Sequence, residues 1–468
     1  MTEMRPFPDQ DAGACHSRGP HVLIIGGGAS GVMMAAHLLS RPDTGFRVTI
    51  VEGRHMLGCG VAYSTTDPDH LLNTRVHNMS AFADRPHHFL DWLRGRPEGE
   101  GVTDQCFVGR ATYGAYMASL LEPWSGDGPD SRLRCVRKTC VRLRDVPGGV
   151  AATLDDGQVL SGDMAVLATG HVQPAPDPQG ALSGPWSDPR PVDPDDRVVI
   201  VGTGLTMVDC VLSMLKSGHR GPILSISRRG LLPRDHAPTR PLPIDLADLP
   251  LGAPMSVLTQ WLRRRARAAE RMGGTWRDAV DGVRPHVRYL WRALPPAERA
   301  RFLRHAATWW DVHRHRIPPA SAAVVDGALQ SGQLVLQRGH FLTAEVDGEG
   351  RRCVTFRPRG EVAATRISAA RIIDCRGIRR DPERNATPLL ADLLASGQGR
   401  IDPLRISLDV TAECEVIARN GAPSRRIYAI GPASRAAFWE ITAIPDIRDQ
   451  VAGLADAMSA GTTSTVPG

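Results

Sequence analysis

At 468 residues, with a formal charge of +6 and a pI near 9.0, the chain is too long for one hydrophobic core and is expected to divide into two or three domains. Its basic charge is carried by arginines scattered along the whole sequence, with Lys138 and Lys216 as its lysines. That favours anionic small molecules and supplies no massed basic face for nucleic acid. The 9 cysteines form no CxxC pair, which excludes a zinc ribbon, and no apolar run reaches the length of a membrane span.

Residues 1–19 are polar and rich in Pro, Gly and Asp, so a disordered leader and a reduced, cytoplasmic setting are expected. The first strong signal is His21-Val-Leu-Ile-Ile-Gly-Gly-Gly-Ala-Ser-Gly31: an apolar strand-length run, then GxGxxG, then a helical run over residues 32–39. Gly26 permits the turn, Gly28 lets the backbone approach a pyrophosphate, and Gly31 lets helix lie on strand. The helix start at Ala29, Ser30 and Gly31 offers unpaired N–H groups to phosphate oxygens. A strand over residues 46–51 then ends in Glu52, placed to accept hydrogen bonds from an adenosine ribose.

Alternating runs at residues 134–144 and 150–154, an Asp156-Gly157 turn and the strand Met164-Ala-Val-Leu-Ala-Thr-Gly170 read as a β-meander whose last strand ends beside the cofactor at Thr169 and Gly170. Cys135 and Cys140 fall in the first of these runs. They have the CxxxxC spacing of disulfide reductases but lie in a predicted strand well away from the first acid-ended βαβ unit, and Cys59 reads as a small buried residue, so no redox disulfide is expected.

The same grammar recurs at Arg197-Val-Val-Ile-Val-Gly-Thr-Gly-Leu-Thr-Met-Val-Asp209, with Gly202, Gly204 and Thr206 in the phosphate loop and Met207 where a small residue would stand, loosening helix on strand. Its second strand, residues 223–227, runs into Arg228-Arg229 and not into an acid. Guanidiniums there match a 2′-phosphate and favour NADPH over NADH; the alternative is a solvated pair at a strand end. Runs at residues 334–337, 353–356 and 371–377 repeat the meander.

Between them, residues 242–318 read as a helical covering segment rich in Trp and Arg. Within it Trp261-Leu-Arg-Arg-Arg-Ala-Arg267 is an amphipathic helix with a wet basic face. His313-Arg-His-Arg316 either collects an anionic substrate or is a solvated helix end halted by proline. Arg426-Ile-Tyr-Ala-Ile-Gly431 reads as a strand returning to the first sheet, and residues 450–458 as a helix.

The predicted fold is α/β: two Rossmann-like dinucleotide-binding domains, each with a β-meander insertion, plus the helical segment. The first domain takes residues 20–195 and 378–460, the second residues 196–377, and residues 461–468 form a flexible tail.

Ala168-Thr169-Gly170 resembles the ATG motif of two-domain flavoproteins, and Gly431-Pro432 stands where that class has Gly-Asp. Gly60-Val-Ala-Tyr63, His70-Leu-Leu-Asn73, His88-Phe-Leu-Asp-Trp92, Ser227-Arg-Arg-Gly-Leu-Leu-Pro233, His313-Arg-His-Arg316 and Trp439-Glu-Ile-Thr-Ala-Ile-Pro-Asp-Ile-Arg448 resemble the bacterial FAD-NAD(P)-binding family, whose named members include FAD-dependent urate hydroxylase and an aspartate N-monooxygenase. The resemblance spans nearly the whole chain. It implies FAD, a nicotinamide donor and oxygen insertion, with Tyr63, Asn73, Gly431 and Pro432 among the cofactor contacts.

One departure is that residues 182–189 hold Gly184 but not the His of the Phe-x-Gly-x-x-x-His signature of Baeyer–Villiger and N-hydroxylating monooxygenases. The resemblance also places residues 439–445 against the isoalloxazine, making Trp439, Glu440 and Thr442 the catalytic candidates. The alternative for Trp439 and Glu440 is ordinary packing and capping. The expected reaction is hydride transfer from NADPH or NADH to FAD, oxygen addition, and hydroxylation of a small polar substrate such as urate or an amino acid by the flavin hydroperoxide. Neither nucleic acid, membrane nor metal is an expected partner. A reductase that does not use oxygen and a non-catalytic flavin-binding redox sensor are the alternatives.

Overall fold

The computed structural model describes residues 19–125, 132–171, 177–186, 192–377 and 381–463. The expected leader up to residue 18 and the last five residues of the expected tail lie outside them, whereas residues 461–463 are the end of a long helix. In chain order the first elements are β1 (His21–Ile25), α1 (Ala29–Leu39), β2 (Arg47–Val51), α2 (His88–Arg94), α3 (Arg110–Ser119), β3 (Leu133–Val136), β4 (Cys140–Val146), β5 (Gly149–Leu154), β6 (Val159–Gly162) and β7 (Met164–Leu167). There follow β8 (Val198–Val201), α4 (Leu205–Lys216), β9 (Ile223–Ser227), α5 (Met255–Arg271), α6 (Trp276–Val283), α7 (Val287–Ala293), α8 (Pro296–His305), α9 (Ala307–Arg314), α10 (Pro319–Gln330), β10 (Leu334–Val346), β11 (Arg352–Pro358), β12 (Thr365–Ala369) and β13 (Arg371–Asp374). The last are α11 (Pro388–Ser396), β14 (Glu415–Ile417), β15 (Pro423–Ala429), α12 (Arg435–Phe438) and α13 (Ile444–Thr463).

Two units result: Met1–Val172 with Val287–Arg292 and Arg380–Gly468, and Gln173–His286 with Ala293–Arg379. The expected boundary at residue 195 moves toward the N-terminus because Ser183 pairs with β13: its N–H donates to Ile372 and its carbonyl accepts from Asp374. That bridge binds residues 177–186 to the second unit. Helix α7 leaves the expected helical segment and belongs to the first unit.

The first unit is built on the sheet β14-β15-β7-β1-β2-β3, parallel from β15 to β3, with Val22 in register with Val48 on one side and Met164 on the other. β1 and β7 are nearly continuous apolar runs because both faces are covered. One face packs against α1, α3 and α13, the other against the antiparallel meander β4-β5-β6 and α11. The single alternating run expected over residues 134–144 is two strands of different sheets. β3 finishes the parallel sheet beside β2, and β4 opens the meander, so Cys135 and Cys140 are not on one strand.

The second unit carries β12-β11-β10-β9-β8-β13. β10 lies parallel to β9 over its first five residues, then extends to pair antiparallel with β11, which fuses meander and parallel sheet into one. α4 and α10 cover one face, β11 and its neighbours the other. Local chemistry sets the helix ends. Thr275 and Asp278 make a capping box for α6, and Thr387 caps α11, which Gly397 ends in the left-handed conformation. In α5 only Ala269 is buried, as a wet basic face requires.

Candidate dinucleotide sites

In the first unit, the strand order reverses between β1 and β7, the place where open α/β sheets hold their ligands. The turn after β1 is set by Gly26, at φ 109°, whose N–H donates to Val51. A Cβ there would lie 2.4 Å from the Ala168 carbonyl oxygen, so β1 and the Ala168-Thr169-Gly170 segment can meet only through a glycine. A Cβ on Gly31 would fall 1.9 Å from the oxygen of Gly26, which is why helix can lie on strand here. Gly28 caps α1 without a side-chain bond, and no acid stands in the first turn at Ala29, Ser30 and Gly31. That helix start is left positive, as an anion requires.

The glycine loop has a second wall. Gly58 donates to the Gly27 carbonyl at 2.7 Å, and Gly28 bridges to Gly58 and lies beside Gly60, so a side-chain-free surface borders the start of α1. Cys59 within it is buried, and burial pushes its thiol up to about 11, leaving it inert. Tyr63 follows, its N–H on the Cys59 carbonyl and its ring edge-on to Tyr113 at 4.8 Å. Asn73 is half-buried in the segment that Leu72 ties to Val108. Glu52 accepts from Gly27 N at 2.8 Å and Arg54 N at 3.0 Å, one bond on each carboxylate oxygen.

The return strand β15 reaches the same rim. Ile430 donates to Leu167, and Gly431, at φ 59°, comes so close to Ser30 that a Cβ would lie 2.6 Å from its hydroxyl. Pro432 sits in the 3-10 turn Gly431–Ser434, and Thr169 and Gly170 stand at the end of β7, with Thr169 exposed. Sequence reasoning missed what fixes this turn. Gln450, buried, accepts from Gly431 N at 2.7 Å and donates to Ser434 Oγ at 2.9 Å. Its signal was one amide among Ile447, Val451 and Leu454 on the buried face of α13.

The catalytic candidates are placed differently from one another. Trp439 and Glu440 are buried at 5% and 4% exposure, and Thr442 is half-buried with its N–H on the Glu440 carbonyl. Trp439 caps α12 at φ 57°, stacks on Trp291 and carries Arg435 over its ring. Helix α13 starts at Ile444, inside the expected loop, and has Asp446 in its first turn, so its positive end already faces a carboxylate.

The second unit repeats the device. Gly202, at φ 121°, would place a Cβ 2.3 Å from the Cys375 carbonyl oxygen, as Gly26 does with Ala168. Thr203 Oγ1 bonds Ser227 Oγ and the Leu231 carbonyl, which fixes the loop to the end of β9. Gly204 caps α4 with no side-chain bond and no acid in the first turn, and Thr206 is half-buried at the second helical position. Met207 is fully buried among Val198, Val211 and Ile373, so the expected looseness is taken up by its own side chain. Arg228 is exposed at the end of β9, whereas Arg229 donates to the carbonyls of Arg304 and His305 at the end of α8.

Fold and site together define a two-dinucleotide-domain flavoprotein. Residues 23–172 match the family model described as FAD-NAD(P)-binding. Among solved structures, the chain is similar to the FAD-bound cadaverine monooxygenase of desferrioxamine biosynthesis from Erwinia amylovora, at TM-score 0.64 and 12% identity over 92% of this chain and 92% of that one. It is similar to reduced ornithine hydroxylase from Pseudomonas aeruginosa, at TM-score 0.62 and 15% identity over 94% and 99%. It is also similar to ornithine N-hydroxylase from Kutzneria sp. 744, solved with reduced FAD, NADP+ and L-ornithine, at TM-score 0.62 and 13% identity over 95% and 99%. At such identities these likenesses establish the fold. No curated protein sequence matches the chain. Among the described residues no helix is long and apolar enough to cross a membrane.

Proposed function

We propose that the protein is an FAD-dependent NAD(P)H oxidoreductase of the cytoplasm, acting as a monooxygenase on a small polar substrate such as urate or an amino acid. The observation that carries this reading is the duplicated backbone device: Gly26 on Ala168 and Gly202 on Cys375, each leading into a helix whose start holds no acid and no side-chain cap. One such loop suits one pyrophosphate, so the chain has a place for a resident flavin nucleotide and another for its nicotinamide donor. FAD, when bound, supplies hydride acceptance and oxygen activation, which no side chain provides.

The chain's own residues bind, orient and exclude water. The loop from Gly26 to Gly31 and the Gly58–Gly60 wall hold the pyrophosphate, and Glu52 takes the ribose with the lone pairs that Gly27 and Arg54 leave. Thr169, Gly170 and Pro432 line the rim, with Gln450 holding the Gly431 turn in shape. Buried Trp439 and Glu440 act as a wall that keeps water out, and Thr442, half-buried where they are buried, is the member of that loop that meets a ligand on this reading. Arg228 is the guanidinium open to a 2′-phosphate, which favours NADPH; Arg229 is committed to α8.

The test is NADPH oxidation and oxygen uptake with urate and with individual amino acids. The reading expects one of them to consume oxygen mole for mole with a hydroxylated product. If every candidate yields only hydrogen peroxide, the monooxygenase assignment fails and a reductase takes its place.

A further inference from the structure

Arg316 is the most deeply buried arginine of the described chain, at 3% exposure, and lies just beyond α9 in the second unit. The segment around it is held rigidly. Asp235 bridges to Ile317, whose N–H donates to Arg234, and His236 and Arg234 in turn donate to the carbonyls of Ile317 and Val312. A guanidinium brings five N–H donors. One nitrogen, Nη2, pairs with Asp281, while Nε and Nη1 are buried without a hydrogen-bond partner among the described residues.

Leaving such donors unmet in a dry site costs about 1–3 kcal/mol per group, more when the group is charged. The neighbours raise the cost. Burial pushes the Arg316 guanidinium below its ordinary value, Asp281 opposes that, and the like charges of Arg314 and Arg277 add to it. Arg277 is itself paired with Asp235 at 2.5 Å, so its partner is not available to Arg316. On the outer side stands the half-buried Trp276, its ring 6.0 Å from the Arg316 guanidinium, 4.6 Å from that of Arg277 and edge-on to His313 at 4.7 Å.

We propose that Arg316, walled by Trp276 and His313, is the recognition group of a binding site for a small carboxylate. A planar carboxylate matches guanidinium donors that have lost water, brings a negative charge to the unmet Nε and Nη1 of Arg316, and fits beside an aromatic face. The site lies within the second unit and does not rest on the flavin chemistry proposed above.

The test uses full-length, flavin-loaded protein with propionate as probe, followed by saturation-transfer NMR, and sulfate as competitor. Propionate is expected to bind wild type. Arg316→Lys keeps the charge but removes Nε and Nη1 and is expected to weaken binding at least about tenfold. Asp281→Asn removes the competing acid and is expected to tighten binding several-fold, so the proposal stays decidable even where Arg316→Lys does not fold. No transfer to propionate in wild type, or an affinity unmoved by both variants, overturns the site. Loss of the propionate signal on adding sulfate at a lower concentration than the propionate itself overturns the carboxylate class.

Discussion

Trp439 stacks its indole on that of Trp291, with ring centroids 4.8 Å apart and planes inclined by 29°, while Trp291 donates to the Ala436 carbonyl at 2.7 Å. Trp439 holds this position in a backbone conformation, φ 57° and ψ −66°, that a bulky L-residue rarely adopts and that costs about 1–3 kcal/mol. Trp439→Ala loses the buried ring and keeps the strain; Trp439→Gly loses as much contact and relieves it. Urea unfolding is therefore expected to show the glycine variant about 1 kcal/mol more stable than the alanine variant, and the reverse order contradicts the strain.

Gly28 and Gly31 separate folding from nucleotide binding. A Cβ at Gly31 meets the Gly26 carbonyl at 1.9 Å, so Gly31→Ala is expected to yield little folded protein. At Gly28 the nearest atom would be the Gly60 Cα at 3.5 Å, an ordinary contact. Gly28→Ala is expected to fold with wild-type thermal stability as apoprotein yet retain far less FAD through gel filtration, because its methyl occupies the pyrophosphate's approach.

How far these features were legible depends on whether they are local. A glycine-rich turn between an apolar strand and a helix is a contiguous signal, GxGxxG in the first unit and Gly202-Thr-Gly204 in the second, so both strand-turn-helix units were readable, as was the return of residues 426–431 to the first sheet. The break between Cys135 and Cys140 was not, because the alternation continues while the hydrogen-bond partner changes from β2 to β5. Ser183 pairing with β13, Gln450 clamping Gly431 and Trp291 reaching Trp439 join residues far apart in sequence, and no periodicity marks such pairs. Arg228 and Arg229 are adjacent and chemically alike; only the carbonyls at the end of α8 tell them apart.

Gln450→Leu preserves shape but strands Gly431 N–H and removes a donor from Ser434 inside the protein. A loss of about 2 kcal/mol in unfolding free energy is expected. FAD affinity should fall with it, since the turn beside Ser30 is no longer fixed. An unchanged urea midpoint contradicts the clamp.

His171 is held down to about 4 from an ordinary 6.5 by burial, with the positive charge of Arg435 adding to the effect. The folded state thus keeps this ring neutral where the unfolded chain takes a proton. Its contribution to stability is full above pH 6.5 and is lost as pH falls toward 4. His171→Gln is expected to flatten the decline in melting temperature between those pH values relative to wild type, while leaving the trend above pH 7 unaltered.

Arg228→Ala is expected to raise KM for NADPH by about tenfold and leave KM for NADH unchanged, since the proposed reading gives the exposed Arg228 guanidinium to the 2′-phosphate. Arg229→Ala frees the Arg304 and His305 carbonyls and should instead lower thermal stability without changing the choice of nucleotide.

The most direct measurement of the central claim, two nucleotide sites serving one electron transfer, is anaerobic stopped-flow mixing of the purified yellow protein with NADPH and with NADH. The account predicts loss of the flavin absorbance with both donors, faster with NADPH, and loss of that preference in Arg228→Ala. Flavin that stays oxidised with either donor would contradict it and leave a chain that binds flavin without using a nicotinamide.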